Sequence, residues 1–245
     1  MKAVILAAGL GSRLLPRTHN IPKCLLKIRG HSILEYQISA LHQNGVNDIA
    51  VVVGHCAEKI RTYLKPPVTF IENKDYATTN SSYSLYLARD FIKNGFIYLN
   101  SDLLFHPGML QTLLQSPHKD SIIIDRAFST TKDMFKVEMH GERIFCLDKN
   151  LDHNLAAAEA VGPAKFSPRG ARELIKHITS LVHKGERNQW CYKVFSDIAK
   201  YYSFFGVENP RYFWAEIDTR VDLVMARKML PSSFTDFLSD YQTRT

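Results

Sequence analysis

The stretch AVILAAGLGSRLLPRTHNIPKCLL, residues 3–26, joins an apolar run to a glycine loop and two cations, Arg13 and Lys23. A strand that feeds a glycine loop lines up backbone N–H groups in a concave array, and glycine lets a phosphate approach that array closely. Two familiar phosphate loops are excluded, because Leu14 replaces the third glycine of a dinucleotide fingerprint and no GK[ST] completes a Walker loop. On this pattern alone, an ordinary glycine turn is the alternative.

The run L-A-A-G-x-G-S-R followed by P-K-C-L-L resembles the signature of nucleotidyltransferases that join a nucleoside triphosphate to a phosphorylated small molecule. The resemblance implies that the glycine loop wraps the triphosphate, that the loop arginine faces the β- and γ-phosphates, and that the lysine faces the α-phosphate. It assigns Lys23 and Arg13 to catalysis. The nucleotide-binding residues that it implies in this segment are Leu6, Ala7, Ala8, Gly9, Gly11, Ser12, Arg13 and Lys23.

Two further segments resemble the same family, and both carry carboxylates. LNSD, residues 99–102, ends an apolar strand in Asp102, and open α/β sheets place their ligand chemistry at such strand ends. In AEIDT, residues 215–219, Glu216 and Asp218 alternate with an apolar residue and so share one face of a strand. We expect these three carboxylates to hold Mg²⁺ beside the substrate phosphates. The alternatives are helix caps for the two aspartates and a solvated strand face.

The stretch ENKDYATTNSSYSLYLAR, residues 72–89, resembles the N-x-x-Y-x-x-T-N-x-x-x-S-L segment of the small cytidylyltransferases. In those enzymes the segment lines the nucleotide pocket, which implies that Thr79, Asn80 and Ser81 bind the nucleotide and that the nucleotide is CTP. The Asn80 amide can both donate to and accept from a pyrimidine edge. Ser81 departs from the pattern, because many relatives carry a second asparagine there. These residues are equally suited to cap the next helix, and both roles can hold together.

The acceptor is expected to be small, because the chain has neither the β-helix repeats nor the long C-terminal extension of several sugar-nucleotide enzymes. We predict a phosphorylated or phosphonate acceptor such as phosphocholine or 2-aminoethylphosphonate. Trp214, with Trp190, Tyr192 and Phe213 nearby in sequence, could wall a quaternary ammonium by cation–π attraction. Lys136 and Lys165 could hold the acceptor's phosphate. Core packing for the aromatic residues and solvation for the lysines are the alternatives.

The family reaction is attack by an acceptor oxygen on the α-phosphorus, with loss of pyrophosphate. This nucleophile is already anionic near neutral pH, so the reaction requires no general base. The sequence accordingly offers no convincing Ser-His-Asp or Cys-His arrangement. We therefore predict a Mg²⁺-dependent transfer of CMP from CTP to the acceptor. A sugar-1-phosphate nucleotidyltransferase that uses UTP, dTTP or GTP is the alternative activity, and a non-catalytic nucleotide sensor is the alternative class.

The overall composition restricts the partners. The net charge of +7, from 31 Lys+Arg against 24 Asp+Glu, favours phosphate-bearing partners in general. These charges are spread along the chain without a nucleic-acid-binding motif, so we expect no nucleic acid partner. No stretch approaches the roughly 18 apolar residues of a membrane span, so we expect no membrane partner. Four well-separated cysteines indicate free thiols and a cytoplasmic location, and a homodimer is left open.

Short β-branched runs alternate with segments of helical periodicity, and these elements must position the site. The alternation predicts an α/β fold: a three-layer, Rossmann-like, mainly parallel sheet with helices on both faces. The resemblance implies the same fold, that of the nucleotide-diphospho-sugar transferases. Over MFKVEMHGERIFCLD the pattern changes to two alternating segments joined by His140-Gly141, which predicts a small antiparallel insertion. We predict a single nucleotidyltransferase domain over residues 1–230, the acceptor-side insertion at 134–166 and a C-terminal tail at 231–245.

Overall fold

The computed structural model describes residues 1–64, 67–127 and 134–238, and strands alternate with helices through most of this length. The strands are β1 (Lys2–Ala7), β2 (Lys27–Ile28), β3 (His31–Ser32), β4 (Asp48–Val53), β5 (Thr69–Glu72), β6 (Phe96–Asn100), β7 (Leu103–Phe105), β8 (Ser121–Asp125), β9 (Lys136–His140), β10 (Arg143–Asp148), β11 (Ala158–Phe166), β12 (Phe205–Glu208) and β13 (Trp214–Glu216). The α-helices are α1 (Ile33–Gln43), α2 (Ala57–Tyr63), α3 (Ser81–Leu87), α4 (Arg89–Ile92), α5 (Pro107–Gln115), α6 (Pro168–His183), α7 (Cys191–Ala199) and α8 (Arg220–Met229). Short 3₁₀ helices cover Ser12–Leu14, Lys23–Leu25 and Ser232–Leu238.

Nine strands form one sheet in the order β5-β4-β1-β6-β11-β8-β12-β10-β9. The strands from β5 to β6 are parallel to one another and β12 is parallel to β8, whereas β11 and β10 run against their neighbours. One face is covered by α1, α2 and α5, and the other by α3, α4, α6 and α7. The predicted three-layer fold with a mainly parallel sheet is therefore confirmed.

The central strand β1 brings two predicted site segments together. Leu6 of β1 pairs with Asn100 of β6, and the backbone N–H of Ser101 donates to the carbonyl of Leu6 at 3.2 Å. Because parallel strands end at the same edge of a sheet, the glycine loop after β1 and Asp102 after β6 leave the sheet side by side. The fold thus places the two motifs next to each other although they are far apart in sequence.

The predicted hairpin is present. β9 and β10 pair antiparallel with His140 opposite Arg143, and the turn between them contains Gly141. β9 also pairs with β11, and β10 pairs with β12, so the hairpin extends the edge of the main sheet. Position 134, where the predicted insertion begins, is the first described residue after the gap at 128–133.

The segment YFWAEID, residues 212–218, has the composition of one strand, but the observed strand is shorter and lies outside the main sheet. β13 covers Trp214–Glu216 and pairs antiparallel with β7, with Glu216 opposite Leu103. The backbone N–H of Ile217 then donates to the carbonyl of Asp102 at 3.0 Å. Because β7 begins directly after Asp102, this small sheet carries the two carboxylates of the AEIDT segment to the end of β6.

Other segments differ from the sequence prediction. The helical periodicity of SYSLYLARDFIKNG, residues 82–95, predicts one helix, but the chain there is divided at Ala88 into α3 and α4. The strand β12 lies in a stretch for which the sequence predicts no strand. The segment predicted as a tail begins with a packed 3₁₀ helix, in which Phe234 and Leu238 are buried against residues of α1 and α8. No helix within the described ranges is both long and apolar enough to span a membrane.

Candidate active site

The glycine loop follows β1 directly, and Gly11 is the position at which its glycine is required. Its φ of 62° is left-handed, and a Cβ there would lie 3.2 Å from Thr18 Cγ2 and 3.3 Å from Lys23 Cβ. The buried Thr18 donates its hydroxyl to the Gly11 carbonyl at 2.7 Å. The buried Leu14 anchors the 3₁₀ helix that carries Arg13. The loop is therefore held close to the segment that supplies Lys23.

Lys23 is fixed between two carboxylates. It begins a 3₁₀ helix directly after Pro22, and the buried side chain of Cys24 anchors that turn. Its Nζ donates to Oδ2 of Asp102 at 2.8 Å and to Oδ1 of Asp218. Arg13 donates from Nη1 to Oδ2 of the same Asp218 at 2.9 Å. The two cations of the opening segment thus meet on one carboxylate.

Asp102, Glu216 and Asp218 form a cluster of oxygen donors. Each offers one carboxylate oxygen, and these three atoms all lie within 4.8 Å of one another. The other oxygen of Asp102, Oδ1, is buried and has no hydrogen-bond partner among the described residues. Carboxylate oxygens are the ligands that hard divalent cations prefer. The donor set and its unpartnered oxygen therefore fit a magnesium ion.

The pKa values of this cluster reflect burial and charge together. Burial, followed by the charges of Asp102 and Asp218, raises the pKa of Glu216 to about 8. Burial alone would lower the pKa of Lys23 and raise that of Asp218. Their ion pair outweighs it, so the pKa of Lys23 lies above its usual value and that of Asp218 below. Lys23 is therefore a permanent positive charge at neutral pH and no proton acceptor.

The segment predicted to bind the nucleotide lines the same pocket as the glycine loop, with Thr79, Asn80 and Ser81 all in its wall. Asn80 also caps α3, because its Oδ1 accepts from the backbone N–H of Ser81 at 2.8 Å. Its Nδ2 donates to Oδ1 of Asn188 at 3.3 Å. Ser81 accepts at Oγ from the backbone N–H of Cys191 at 2.8 Å. The capping role is thus observed, and base binding stays a prediction.

Of the four residues predicted to contact the acceptor, Tyr192 lies in the pocket wall, where its hydroxyl accepts from Nδ2 of Asn100 at 3.4 Å. Trp214, Lys136 and Lys165 are not among the residues that line this pocket. The eight residues predicted to contact the phosphates and the metal, by contrast, do line it: Gly9, Gly11, Ser12, Arg13, Lys23, Asp102, Glu216 and Asp218. The backbone stretch from Leu6 to Ala8 lines it as well.

The side chains of Trp214, Lys136 and Lys165 have hydrogen-bond partners away from this pocket, and their contact with the acceptor stays a prediction. Trp214 donates from Nε1 to Oδ2 of Asp125 at 2.8 Å and packs against the core on the α1 face. Lys136 is buried and donates to the carbonyl of Leu151 at 2.9 Å. Lys165 is also buried and donates to the carbonyl of Ser116 at 2.8 Å. Both lysines satisfy backbone carbonyls where water is excluded.

Sequence reasoning missed other parts of the wall, which come from elements that only the folded chain brings together. Phe135 precedes β9 and Lys149 follows β10, and both line the pocket. Trp190, which the sequence does offer as an aromatic wall near Tyr192, precedes α7 and lines the pocket as well. The pattern of hydrophobic residues carries no signal for such a convergence. Two further wall residues are the thiols Cys24 and Cys191, whose pKa burial raises to about 12. Both stay protonated at neutral pH and are poor nucleophiles.

Comparison with known proteins decides the family. A family model described as the MobA-like NTP transferase domain matches residues 3–188. The chain belongs to this family. It is a nucleotidyltransferase, as the glycine-loop signature implied, and its loop, Lys23 and Asp102 all fall within the matched residues. Glu216, the last residue of β13, and Asp218, two residues later, lie beyond the end of the match.

Individual MobA-like relatives agree with this assignment. The choline-phosphate cytidylyltransferase of Streptococcus pneumoniae is 43% identical over 120 residues, which is 48% of this chain and 52% of that protein. The chain thus spans about half of that relative. The CTP:phosphoglutamine cytidylyltransferase of Campylobacter jejuni is 28% identical over 247 residues, which cover 91% of this chain and 98% of that protein.

A solved structure extends the likeness to the whole fold. The CTP:phosphocholine cytidylyltransferase of Streptococcus pneumoniae superposes with a TM-score of 0.80 at 26% sequence identity. The superposition covers 94% of this chain and 99% of that chain. The superposition therefore extends beyond residues 3–188, which the family model matches.

Proposed function

We propose that this protein is a Mg²⁺-dependent cytidylyltransferase that transfers CMP from CTP to a small phosphorylated or phosphonate acceptor and releases pyrophosphate. The observation that carries the proposal is the meeting of Lys23 and Arg13 with three carboxylates beside a glycine loop. Transfer between two anions is limited by charge repulsion, so its catalysis consists of positioning and of fixed positive charge. This site provides both.

In the proposed step an oxygen of the acceptor's phosphate forms a bond to the α-phosphorus, and the bond from that phosphorus to the pyrophosphate oxygen breaks. The attacking oxygen is already deprotonated, because the second pKa of a phosphomonoester is about 6. No side chain needs to accept a proton. The permanently charged Lys23 and the two neutral pocket thiols are consistent with such a step.

The two cations have different roles in this proposal. Lys23 neutralises charge that accumulates on the α-phosphoryl group in the transition state. Arg13, with its planar fork of donors, suits the pyrophosphate that leaves. The backbone of the loop, held in place by the bond from Thr18 to Gly11, presents its N–H groups to the same phosphates. Each interaction strengthens as negative charge moves toward the leaving group.

Asp102, Glu216 and Asp218 would hold the Mg²⁺. The ion, when bound, neutralises the triphosphate and orients its reacting phosphates. Lys23 hydrogen-bonds two of these carboxylates, so its charge lies beside the donor set that would hold the ion. The same carboxylates would therefore position both the Mg²⁺ and the ammonium of Lys23.

The choice of CTP and of the acceptor rests on the segment 72–89 and on the relatives. Both curated relatives compared above are named as cytidylyltransferases, one for choline phosphate and one for phosphoglutamine. Thr79, Asn80 and Ser81 lie in the pocket wall where they can contact a base. A small acceptor with its own phosphate or phosphonate is the class that these observations share.

The proposal is tested by a screen for pyrophosphate release. Each of CTP, UTP, dTTP and GTP is combined with phosphocholine, 2-aminoethylphosphonate and glucose 1-phosphate in the presence of Mg²⁺, and the Lys23→Ala protein gives the background. We expect release with CTP and a small acceptor. Release confined to UTP, dTTP or GTP with the sugar phosphate would favour a sugar-1-phosphate nucleotidyltransferase. No release in any pairing would favour a nucleotide sensor.

A further inference from the structure

Lys149 is a pocket cation that has no acidic ion-pair partner among the described residues. The described residues that line the pocket include three cations, Arg13, Lys23 and Lys149. The first two form ion pairs with Asp102 or Asp218. Lys149 directly follows β10 and is half-buried. It forms no ion pair with any carboxylate in the described part of the chain. Its charge is therefore available to a ligand.

Two aromatic rings hold this ammonium in place. Its Nζ lies 5.0 Å from the ring centroid of Phe135 and 5.3 Å from that of Trp190. Both distances are within the range of cation–π attraction. The rings come from the segments before β9 and before α7, so Lys149 is positioned by two elements other than its own. A surface lysine would instead sample many conformations in water.

The charge of Lys149 reaches the reacting end of the pocket. Burial would raise the pKa of Asp218, but Lys23, Arg13 and Lys149 together bring it below its usual value. Lys149 likewise opposes the rise in the pKa of Glu216 that burial and the neighbouring carboxylates cause. Lys149 thus acts electrostatically on the carboxylates from a different wall of the pocket.

We propose that Lys149 binds the phosphate or phosphonate group of the acceptor and that Phe135 and Trp190 position it for this task. The inference rests on the proposed function and extends it to the second substrate. The transfer brings together three anionic groups, and the described lining of the pocket offers three cations. Arg13 and Lys23 serve the pyrophosphate and the α-phosphoryl group, which leaves the ammonium of Lys149 for the attacking phosphate. Acceptors without such an anion lose this contact.

Steady-state kinetics of Lys149→Met test the assignment, because methionine keeps an unbranched apolar side chain against the rings and removes the charge. A charge-assisted hydrogen bond of this type predicts a rise of about 10-fold or more in the KM of the acceptor. The KM of CTP should stay within about twofold. Lys149→Arg should restore most of the acceptor affinity, and Lys93→Met, at an exposed lysine outside the pocket, is the matched control.

A binding measurement separates this inference from the transfer reaction itself. In a Trp214→Phe background the remaining Trp190 reports on its surroundings, and inorganic phosphate is the titrant. We expect a saturable change in Trp190 emission whose apparent Kd rises at least about 10-fold in Lys149→Met. Circular dichroism of each variant verifies that the protein is folded.

The outcomes distinguish the two proposals. Phosphate binding that depends on Lys149 without turnover of any acceptor would overturn the proposed function and support the anion site. Turnover with an acceptor KM that Lys149→Met leaves unchanged would overturn the assignment of Lys149, whatever the emission shows. A rise in the KM of CTP with no change in the KM of the acceptor would assign Lys149 to the nucleotide. That result would also overturn its assignment to the acceptor's phosphate.

Discussion

Lys23 carries the electrostatics of the site at the scale of a single residue. Its Nζ bonds Asp102 and Asp218, which hold its charge beside the phosphates that a metal on these carboxylates would bind. We predict that Lys23→Ala lowers kcat by about 10²-fold or more, the scale of losing one preorganised electrostatic donor, with a smaller change in the KM of CTP. An assay of pyrophosphate release at saturating substrate concentrations measures kcat, and the same assay with CTP as the varied substrate measures its KM.

The control for this variant is Lys27→Ala, because Lys27 is exposed on β2 and lies outside the pocket. It should keep the activity of the unaltered protein. A folded Lys23→Ala protein with unchanged kcat would mean that Lys23 only packs the loop and is not the transition-state cation.

The carboxylates give a second prediction at this scale. Asp102→Asn and Asp218→Asn should each raise the Mg²⁺ concentration for half-maximal rate, because a neutral amide oxygen is a weaker ligand for a hard cation. Asp48→Asn is the matched control, since Asp48 pairs with Lys2 at the start of β4, away from the carboxyl ends of the strands. Magnesium titration of the rate measures the effect. Identical titration curves for all four proteins would remove these aspartates from the metal site.

At the scale of elements, the glycine loop depends on its backbone conformation. Gly11→Ala forces a side chain into a left-handed position where its Cβ meets Thr18 at 3.2 Å and Lys23 at 3.3 Å. We predict that the KM of CTP rises by about 10-fold, because the strain of about 1 kcal/mol or more is relieved by moving the loop away from its phosphate-binding shape. Steady-state kinetics with CTP as the varied substrate measure the change.

Gly45→Ala is the matched control for this variant. Gly45 has a φ of 74° after α1, but a Cβ there meets nothing within 4 Å. It should cost a similar amount of stability and leave the KM of CTP unchanged. Equal effects of the two substitutions on that KM would show that the loop conformation is not specific to nucleotide binding.

The elements also show what the sequence could and could not predict. The loop after β1, the carboxylate after β6 and the cap at Asn80 follow from local patterns, because each depends on residues adjacent in the chain. The placement of Glu216 depends on β13 pairing with β7, more than a hundred residues apart, and only the register of that pairing fixes it. The same limit explains why Trp214 was expected in the pocket: its strand face is shared with Glu216, but its indole reaches Asp125 instead.

At the scale of the whole molecule, the buried acid Glu159 contributes to the pH dependence of stability, in the same direction as Glu216 of the site, whose pKa is also raised. Burial, aided by Asp125, raises the pKa of Glu159 from 4.5 to about 7, and its Oε2 has no hydrogen-bond partner within the described residues. At pH values between 4.5 and about 7, Glu159 keeps its proton in the folded protein but has lost it in the unfolded chain. Stability should therefore fall as pH rises from about 5 to 8. The loss attributable to Glu159 is at most about 3 kcal/mol.

Urea unfolding at pH 5 and pH 8 tests this. Glu159→Gln removes the titrating group, so its free energy of unfolding should change less between the two pH values than that of the unaltered protein. Glu186→Gln, at an exposed acid, should behave like the unaltered protein. A pH dependence that Glu159→Gln leaves intact would place the responsible group elsewhere.

The central claim is that the acceptor's own phosphate oxygen attacks the α-phosphorus of CTP, and isotope transfer tests it most directly. The protein is incubated with Mg²⁺, unlabelled CTP and phosphocholine whose terminal phosphate oxygens carry ¹⁸O. The masses of the products are then measured by mass spectrometry. The account predicts a CMP-linked product that retains all of the label and pyrophosphate that carries none. Label in the pyrophosphate, or CTP consumed without any CMP-linked product, would contradict it.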